Sequence, residues 1–170
     1  MSIFEFSRVV ELKKIPQNGM RMTELATDSE LSALTARFKL DAVLSFQLEA
    51  ELTAWRKKGI QATGRVSARL RQTCVVSLEV FEQTLDESFS TLFLPANMIQ
   101  ETDDPDADIP EAMNEGMADI GELAVQVLAL GIDPHPRKPD AEFVYQNSDE
   151  GMMQEEKANP FHALKGLHDG

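Results

Sequence analysis

Residues 46–71, FQLEAELTAWRKKGIQATGRVSARLR, contain two runs in which apolar and polar side chains alternate. Alternation with a period of two is typical of a β-strand that has one face on the core and the other in solvent. The two runs are separated by Lys57, Lys58 and Gly59, which fit a three-residue hairpin loop with the glycine in the left-handed conformation. The segment therefore predicts a long antiparallel hairpin.

The apolar positions of this hairpin are expected to face the core together. They are, in chain order, Phe46, Leu48, Ala50, Leu52, Ala54, Ala62, Gly64, Val66, Ala68 and Leu70. When the two apolar faces are matched, Glu51 lies opposite Arg65, which is a favourable cross-strand pair.

Two helices are predicted from capping residues and apolar spacing. Thr27 and Glu30 have the spacing of a capping box at the start of a helix over residues 28–38. Asp119 is suited to cap a second helix over residues 119–131, in which apolar side chains recur on one face. Each helix is expected to place its apolar face on the core.

The remaining segments complete the prediction of one α+β domain over residues 1–145. Strands are expected in the first 20 residues and over the segments 74–80 and 84–93. The fold class is α+β, a curved antiparallel β-sheet of about five to seven strands with two main helices. The sheet could be barrel-like. Residues 146–170 are expected to be a flexible, loosely attached tail with a short helix at 159–167.

The charge of the chain is uneven, with a formal net charge of -13 at pH 7. Residues 1–80 carry 12 Lys and Arg against 9 Asp and Glu, whereas residues 81–170 carry 4 against 20. Because an anionic surface repels phosphate, broad coating of nucleic acid is not expected, and no DNA contact is predicted. A basic protein partner suits this charge better, although solubility alone is an equally good explanation.

The start of the chain and its hydropathy indicate a cytoplasmic protein without a membrane contact. MSIFEFSRVV lacks the basic start and the long apolar run of a signal peptide. No stretch approaches the ~20 apolar residues needed to cross a bilayer. A single cysteine excludes an intramolecular disulfide.

The sequence gives only weak candidates for catalytic or metal-binding residues. Cys74 continues the inward parity of the strand before it and has no nearby His, Asp or Lys in an activating pattern, so a buried packing role is expected. Asp104, Asp106, Asp108 and Glu115 have the spacing of an EF-hand loop, but the position that requires glycine is isoleucine. The three histidines lack metal-ligand spacing. We therefore expect no enzyme, no catalytic residue, no metal and no cofactor.

Six cations of the predicted hairpin could contact phosphate: Arg56, Lys57, Lys58, Arg65, Arg69 and Arg71. Trp55 is the nearby aromatic residue, so few side chains are available to stack on nucleic-acid bases. Pairing of these cations with Glu49, Glu51 and the acidic half of the chain is the simpler explanation.

Three segments resemble the YceD family: QTCVVSLEVFEQ (72–83), ADIGELAVQVLALGIDPHPRKPDAEF (118–143) and NPFHALKGL (159–167). Together with the start FSRVVELKKIPQNG (6–19) they follow the family's order along most of the chain. The variants are most similar to alphaproteobacterial members. The resemblance implies a role in the accumulation of large-subunit ribosomal RNA, the process to which these small bacterial proteins and their plastid relatives are linked.

The central motif departs from the family's pattern. Many members have C-x-x-C there, whereas in this chain Cys74 is followed three places on by Ser77. A metal or redox role of a cysteine pair therefore does not carry over to this sequence.

The resemblance and the charge together predict a non-enzymatic binding factor in large ribosomal subunit biogenesis. Its expected partner is a basic ribosomal protein or the assembling large subunit. The residues expected to hold this partner lie in an acidic loop (residues 100–111) and are Asp103, Asp104, Asp106, Asp108 and Glu111. A contact with ribosomal RNA is assigned to Arg65, Arg69 and Arg71.

Two other functions are weighed against this one. A regulatory binding protein linked to phospholipid synthesis is the alternative, because family genes commonly lie beside one for a phospholipid-synthesis enzyme. A hydrolase acting on RNA would need a carboxylate cluster that binds magnesium.

Overall fold

Seven strands and two α-helices are present in the computed structural model, which describes residues 4–100 and 109–141. In chain order they are β1 (Val9–Glu11), β2 (Met20–Leu25), α1 (Asp28–Phe38), β3 (Ala42–Trp55), β4 (Gly59–Thr73), β5 (Val80–Pro95), β6 (Glu111–Met113), β7 (Met117–Asp119) and α2 (Ile120–Gly131). A main sheet has the order β2-β3-β4-β5-β6, and β1 pairs with β7 in a second sheet. The α+β class and the two helices are confirmed. Because β2 and β6 are the ends of the described main sheet, it is open, and the barrel alternative is wrong.

The predicted hairpin is the centre of the main sheet. β3 pairs with β4 over nearly its whole length, and β4 pairs with β5 from Ile60 to Thr73. The alternation of the sequence appears as alternating burial, and Leu48, Leu52 and Val66 are fully buried. At the end of β3 the pattern fails, because Ala54 is exposed.

The turn of the hairpin begins one residue earlier than predicted. Arg56 and Lys57 have φ of 47° and 57°, in the left-handed region, whereas Gly59 is already part of β4 and does not have a positive φ. A Cβ on Gly59 would lie 2.5 Å from the carbonyl oxygen of Phe93. The glycine therefore permits a close approach of β5 rather than the turn itself.

This shift of the turn changes the register of the hairpin. Arg65 lies opposite Glu49, and Glu51 lies opposite Thr63. The predicted Glu51–Arg65 pair is therefore wrong, because moving a turn by one residue moves each cross-strand partner by two.

Both helices cap and pack as predicted. The side chain of Thr27 accepts a hydrogen bond from the Glu30 N–H, and the Glu30 carboxylate accepts one from the Thr27 N–H at 2.8 Å. Asp119 caps α2 by accepting the N–H groups of Gly121 and Glu122. The helices cover one face of the main sheet, together with Phe6 from the N-terminal segment.

Two predicted strands differ from the structure. Residues 74–79 form a turn, in which Leu78 has a φ of 59°, so the strand predicted over 74–80 is wrong. The strand predicted over 84–93 is confirmed but longer, since β5 begins at Val80. The turn exists because the backbone of residues 136–138 binds it, which is a contact that local alternation does not encode.

The far edge of the main sheet is only partly covered. β6 runs parallel to β5 and pairs with Phe93–Pro95, so the sheet is not purely antiparallel. In the described part of the chain, Val80–Leu92 has no strand on its second side.

Some predictions fall beyond the described residues. The domain limit at 145, the tail 146–170 and the helix at 159–167 all lie outside them. Among the helices that the structure describes, none is both long and apolar enough to span a membrane.

Candidate functional site

The outer face is the face of the main sheet opposite the helices, and it carries the three arginines predicted to contact RNA. Arg65, Arg69 and Arg71 are exposed at alternate positions of β4. Arg71 lies 2.9 Å and Arg69 3.8 Å from carboxylate oxygens of Glu82, and Arg65 lies 3.7 Å from Glu49. The structure therefore places the three predicted residues on one surface, where each already has an anionic partner.

One depression on the outer face has charges of both signs around it. It is an open groove of about 390 Å³ whose rim includes Arg21, Glu51 and Arg65. Arg21 lies 3.5 Å from Glu51 across β2 and β3. Because the rim is close to electrically balanced, it favours neither an anionic nor a cationic ligand.

The hairpin tip (residues 55–58) has a different electrostatic character. Arg56, Lys57 and Lys58 follow one another, and none has a carboxylate within 4.0 Å in the described residues. The Arg56 guanidinium lies 4.6 Å from the centre of the Trp55 ring, which is a cation–π contact. The tip is therefore the surface on which adjacent cations have no described acidic partner.

The acidic loop can be located only through its flanks. Asp103, Asp104, Asp106 and Asp108 lie outside the described residues. Glu111 is exposed in β6, opposite Phe93. Glu111 is near the hairpin tip, because Gly59 approaches the same Phe93.

Ile109 lies on the same end of the main sheet, where it lines an open groove with Gln61 and Ser90. Gln61 is two residues from the start of β4, so this groove adjoins the hairpin tip. The acidic loop therefore rejoins the described fold at the end of the main sheet that carries the hairpin tip.

Cys74 occupies a pocket of hydrogen-bond donors that sequence reasoning missed. Its side chain is fully buried, as expected, but it lies at the start of a turn rather than in a strand. The Sγ atom accepts backbone N–H groups from Val76 and Ser77 at 3.4 Å and from Lys138 at 3.3 Å. Backbone donors leave no trace in a residue pattern, so the sequence offered no signal for them.

These donors change the acidity of the thiol. The Ser77 hydroxyl, the Ser77 N–H and then the N–H groups of Lys138 and Val76 lower the pKa of Cys74 to about 6, against the opposing effect of burial. Lys138 itself pairs with Glu79 at 2.8 Å. The described residues contain no group of three or more His, Cys, Asp or Glu placed to hold a metal ion. The hydrogen bonds therefore stabilise a buried Cys74 thiolate, and the described residues place no set of metal-binding side chains around it.

A comparison with family models completes these observations. The model described as large ribosomal RNA subunit accumulation protein YceD matches residues 62–168, which is more than half of the chain. The chain belongs to the YceD family. The description of the matching model links the family to accumulation of large-subunit ribosomal RNA. No curated protein and no solved structure matches the chain.

The YceD match covers most of β4 and everything described after it. The turn at Cys74 and both flanks of the acidic loop lie inside the matched residues, whereas the hairpin tip precedes them. The resemblance inferred from the segments 72–83, 118–143 and 159–167 is thus confirmed.

Proposed function

We propose that this YceD-family chain is a non-enzymatic factor that supports accumulation of large-subunit ribosomal RNA by binding a basic ribosomal protein in the cytoplasm. The family match supplies the process, and it is the observation that carries the proposal. The binding mode is inferred from charge. The matched residues include the acidic loop and the whole stretch 72–136, which contains no Lys or Arg.

Unassembled ribosomal proteins are suited to such a surface. They are usually basic and have flexible extensions, and before assembly their cations lack the RNA that later neutralises them. An acidic loop attracts these cations over about 8 Å at physiological salt, which chiefly raises the association rate. Delivery to the assembling subunit then follows because ribosomal RNA is a polyanion of much higher charge density.

The position of Cys74 favours binding over thiol chemistry. Its Sγ atom is enclosed by the turn at residues 74–79 and by residues 136–138. A substrate would have to open this turn to reach the sulfur. We therefore assign Cys74 a structural role in the proposed factor.

A charge-neutral loop variant tests the proposal. Asp103, Asp104, Asp106, Asp108 and Glu111 are replaced by Asn or Gln, and binding of the purified variant to the co-purifying basic ribosomal protein is measured across a salt series. We expect weaker capture and a shallower dependence on salt, with an unchanged melting temperature, because Asn and Gln keep the size of the side chains that they replace and remove only the charge.

The matched control removes five exposed acidic residues from other parts of the fold: Asp28, Glu49, Glu51, Glu79 and Asp140. It has the same net charge as the loop variant and should bind the ribosomal protein nearly as well as the unchanged chain. An equal loss in both variants, or a loss in neither, would contradict the proposal. Recovery of a phospholipid-synthesis enzyme without ribosomal proteins would favour the alternative function instead.

A further inference from the structure

The hairpin tip combines an unfavourable backbone with cations that have no acidic partner among the described residues. Arg56 and Lys57 occupy two successive left-handed positions, and the Lys58 N–H closes the turn on the Trp55 carbonyl at 3.0 Å. A β-turn with both central residues left-handed strongly prefers Asn-Gly or similar pairs at these positions, because other side chains are strained there. A chain selected only for stability would not be expected to carry arginine and lysine at these positions.

The charges of the tip differ from those of the strands beside it. The arginines of β4 contact Glu49 or Glu82, whereas the three cations of the tip have no carboxylate within 4.0 Å in the described residues. Three positive charges in three successive residues, at the end of strands of 14 and 15 residues, form a local concentration of positive charge on a chain whose net charge is negative.

We propose that the hairpin tip binds the phosphate backbone of single-stranded RNA. Trp55 holds the Arg56 guanidinium by the cation–π contact at 4.6 Å, which restricts the side chain before binding. A guanidinium held over one face of a ring keeps its N–H groups free for two parallel hydrogen bonds to a phosphate. Lys57 and Lys58 add charge without a fixed geometry, so the contact is independent of base sequence.

The choice of RNA among polyanions rests on the proposed function. The site itself rests on the geometry of the tip, which lies before the residues that match the YceD model. A membrane surface is the less suitable partner, because the tip offers one aromatic side chain and no aliphatic residue that could enter a bilayer.

A triple substitution tests the site. Arg56→Gln, Lys57→Gln and Lys58→Gln are combined, and binding of the full chain to a fluorescent single-stranded oligonucleotide from large-subunit ribosomal RNA is measured from low to high salt. Each phosphate contact with a single strand contributes about 0.7 to the salt slope, so three contacts predict a slope smaller by about 2. The same relation predicts about 100-fold weaker binding at 0.1 M salt.

The matched control is the combination Arg65→Gln, Arg69→Gln and Arg71→Gln. It removes the same charge from cations that already have acidic partners, and it should change RNA affinity and salt slope much less. Equal effects of the two triple variants would overturn the proposal, because the binding would then follow net charge alone. Unchanged affinity of the tip variant would overturn it as well.

A second variant separates binding from folding. Arg56→Asn with Lys57→Gly introduces the favoured turn pair and should raise the melting temperature while weakening RNA binding. A variant that is more stable and still binds RNA like the unchanged chain would contradict the site.

The proposed RNA site and the proposed binding of a ribosomal protein can be contradicted independently of each other. The tip variants should leave capture of the ribosomal protein intact. The variant with a neutral acidic loop should bind RNA at least as tightly as the unchanged chain, since Glu111 and the loop flanks adjoin the tip.

Discussion

Cys74 shows how backbone amides set the chemistry of a single side chain. Sequence parity predicted its burial correctly, because it continues the inward positions of β4. The same parity missed the three N–H groups on its sulfur, one of which comes from Lys138, 64 residues away. Burial of this side chain follows from local alternation, whereas its hydrogen bonding depends on how residues 136–138 pack against the turn at 74–79.

The lowered pKa of Cys74 predicts a pH-dependent stability. The thiol has a pKa of about 6 in the folded chain and an ordinary value near 9, so folding favours the thiolate. Its contribution is complete above about pH 9 and is lost as the pH falls through about 6. The free energy of unfolding of the unchanged chain should therefore rise from pH 6 to pH 9 relative to that of Cys74→Ala.

Denaturant unfolding of both proteins over this pH range measures the difference. Unfolding free energies that change in parallel with pH would show that the thiol is not ionised in the folded chain. Cellular function should survive the substitution, because Cys74 is assigned a structural role.

At the scale of elements, the hairpin and helices were the most predictable parts of the fold. Each carries its information locally, as alternation in β3 and β4 and as capping residues before α1 and α2. The turn was misplaced because Gly59 serves a close approach to β5 rather than a left-handed turn. The turn at 74–79 was mistaken for a strand because residues 136–138 stabilise it from a distant part of the chain.

The buried face of β3 gives a direct test of this element. Leu48 is fully buried in the core, so Leu48→Ala should lower the free energy of unfolding by about 2–5 kcal/mol. The adjacent Glu49 is exposed, and Glu49→Ala should change it by about 0.5 kcal/mol or less. Urea unfolding of the two variants distinguishes the faces, and a loss below about 1 kcal/mol for Leu48→Ala would contradict the packing.

At the scale of the whole molecule, arginine contacts join segments that are distant in sequence. Arg37 of α1 binds Glu5 of the N-terminal segment at 2.7 Å and Glu122 of α2 at 2.9 Å. Arg8 lies over the Phe6 ring and pairs with Glu30, and this pairing lowers the pKa of Glu30 to about 2. These contacts hold the N-terminal segment and the two helices together over the main sheet.

Removal of the Arg37 contact should destabilise the whole fold. Glu122 is only 12% exposed, so Arg37→Ala leaves a largely covered carboxylate without its partner. We expect a loss of about 1–3 kcal/mol in the free energy of unfolding. Arg21, which is 84% exposed beside Glu51, is the control, and Arg21→Ala should cost about 0–1 kcal/mol. Equal melting temperatures of the two variants would contradict the joining role of Arg37.

The candidate surfaces were only partly predictable at this scale. Alternation placed Arg65, Arg69 and Arg71 on the solvent face correctly, but not their pairing with Glu49 and Glu82, which depends on the register of three strands. Charge counting identified the acidic loop without locating it. Only the three-dimensional arrangement shows that its flanks and the hairpin tip share one end of the main sheet.

The side of β5 that no strand covers in the described part of the chain has a consequence for self-association. Most natural edge strands are kept apart by lysine, proline or a covering segment, but Val80–Leu92 contains neither lysine nor proline. The charged side chains on this edge are carboxylates: Glu82, Asp86 and Glu87. Repulsion between the carboxylates of two copies therefore opposes pairing of this edge, and salt screens that repulsion. Solutions of this chain at high salt should accordingly form strand-paired aggregates that low-salt solutions at the same neutral pH do not.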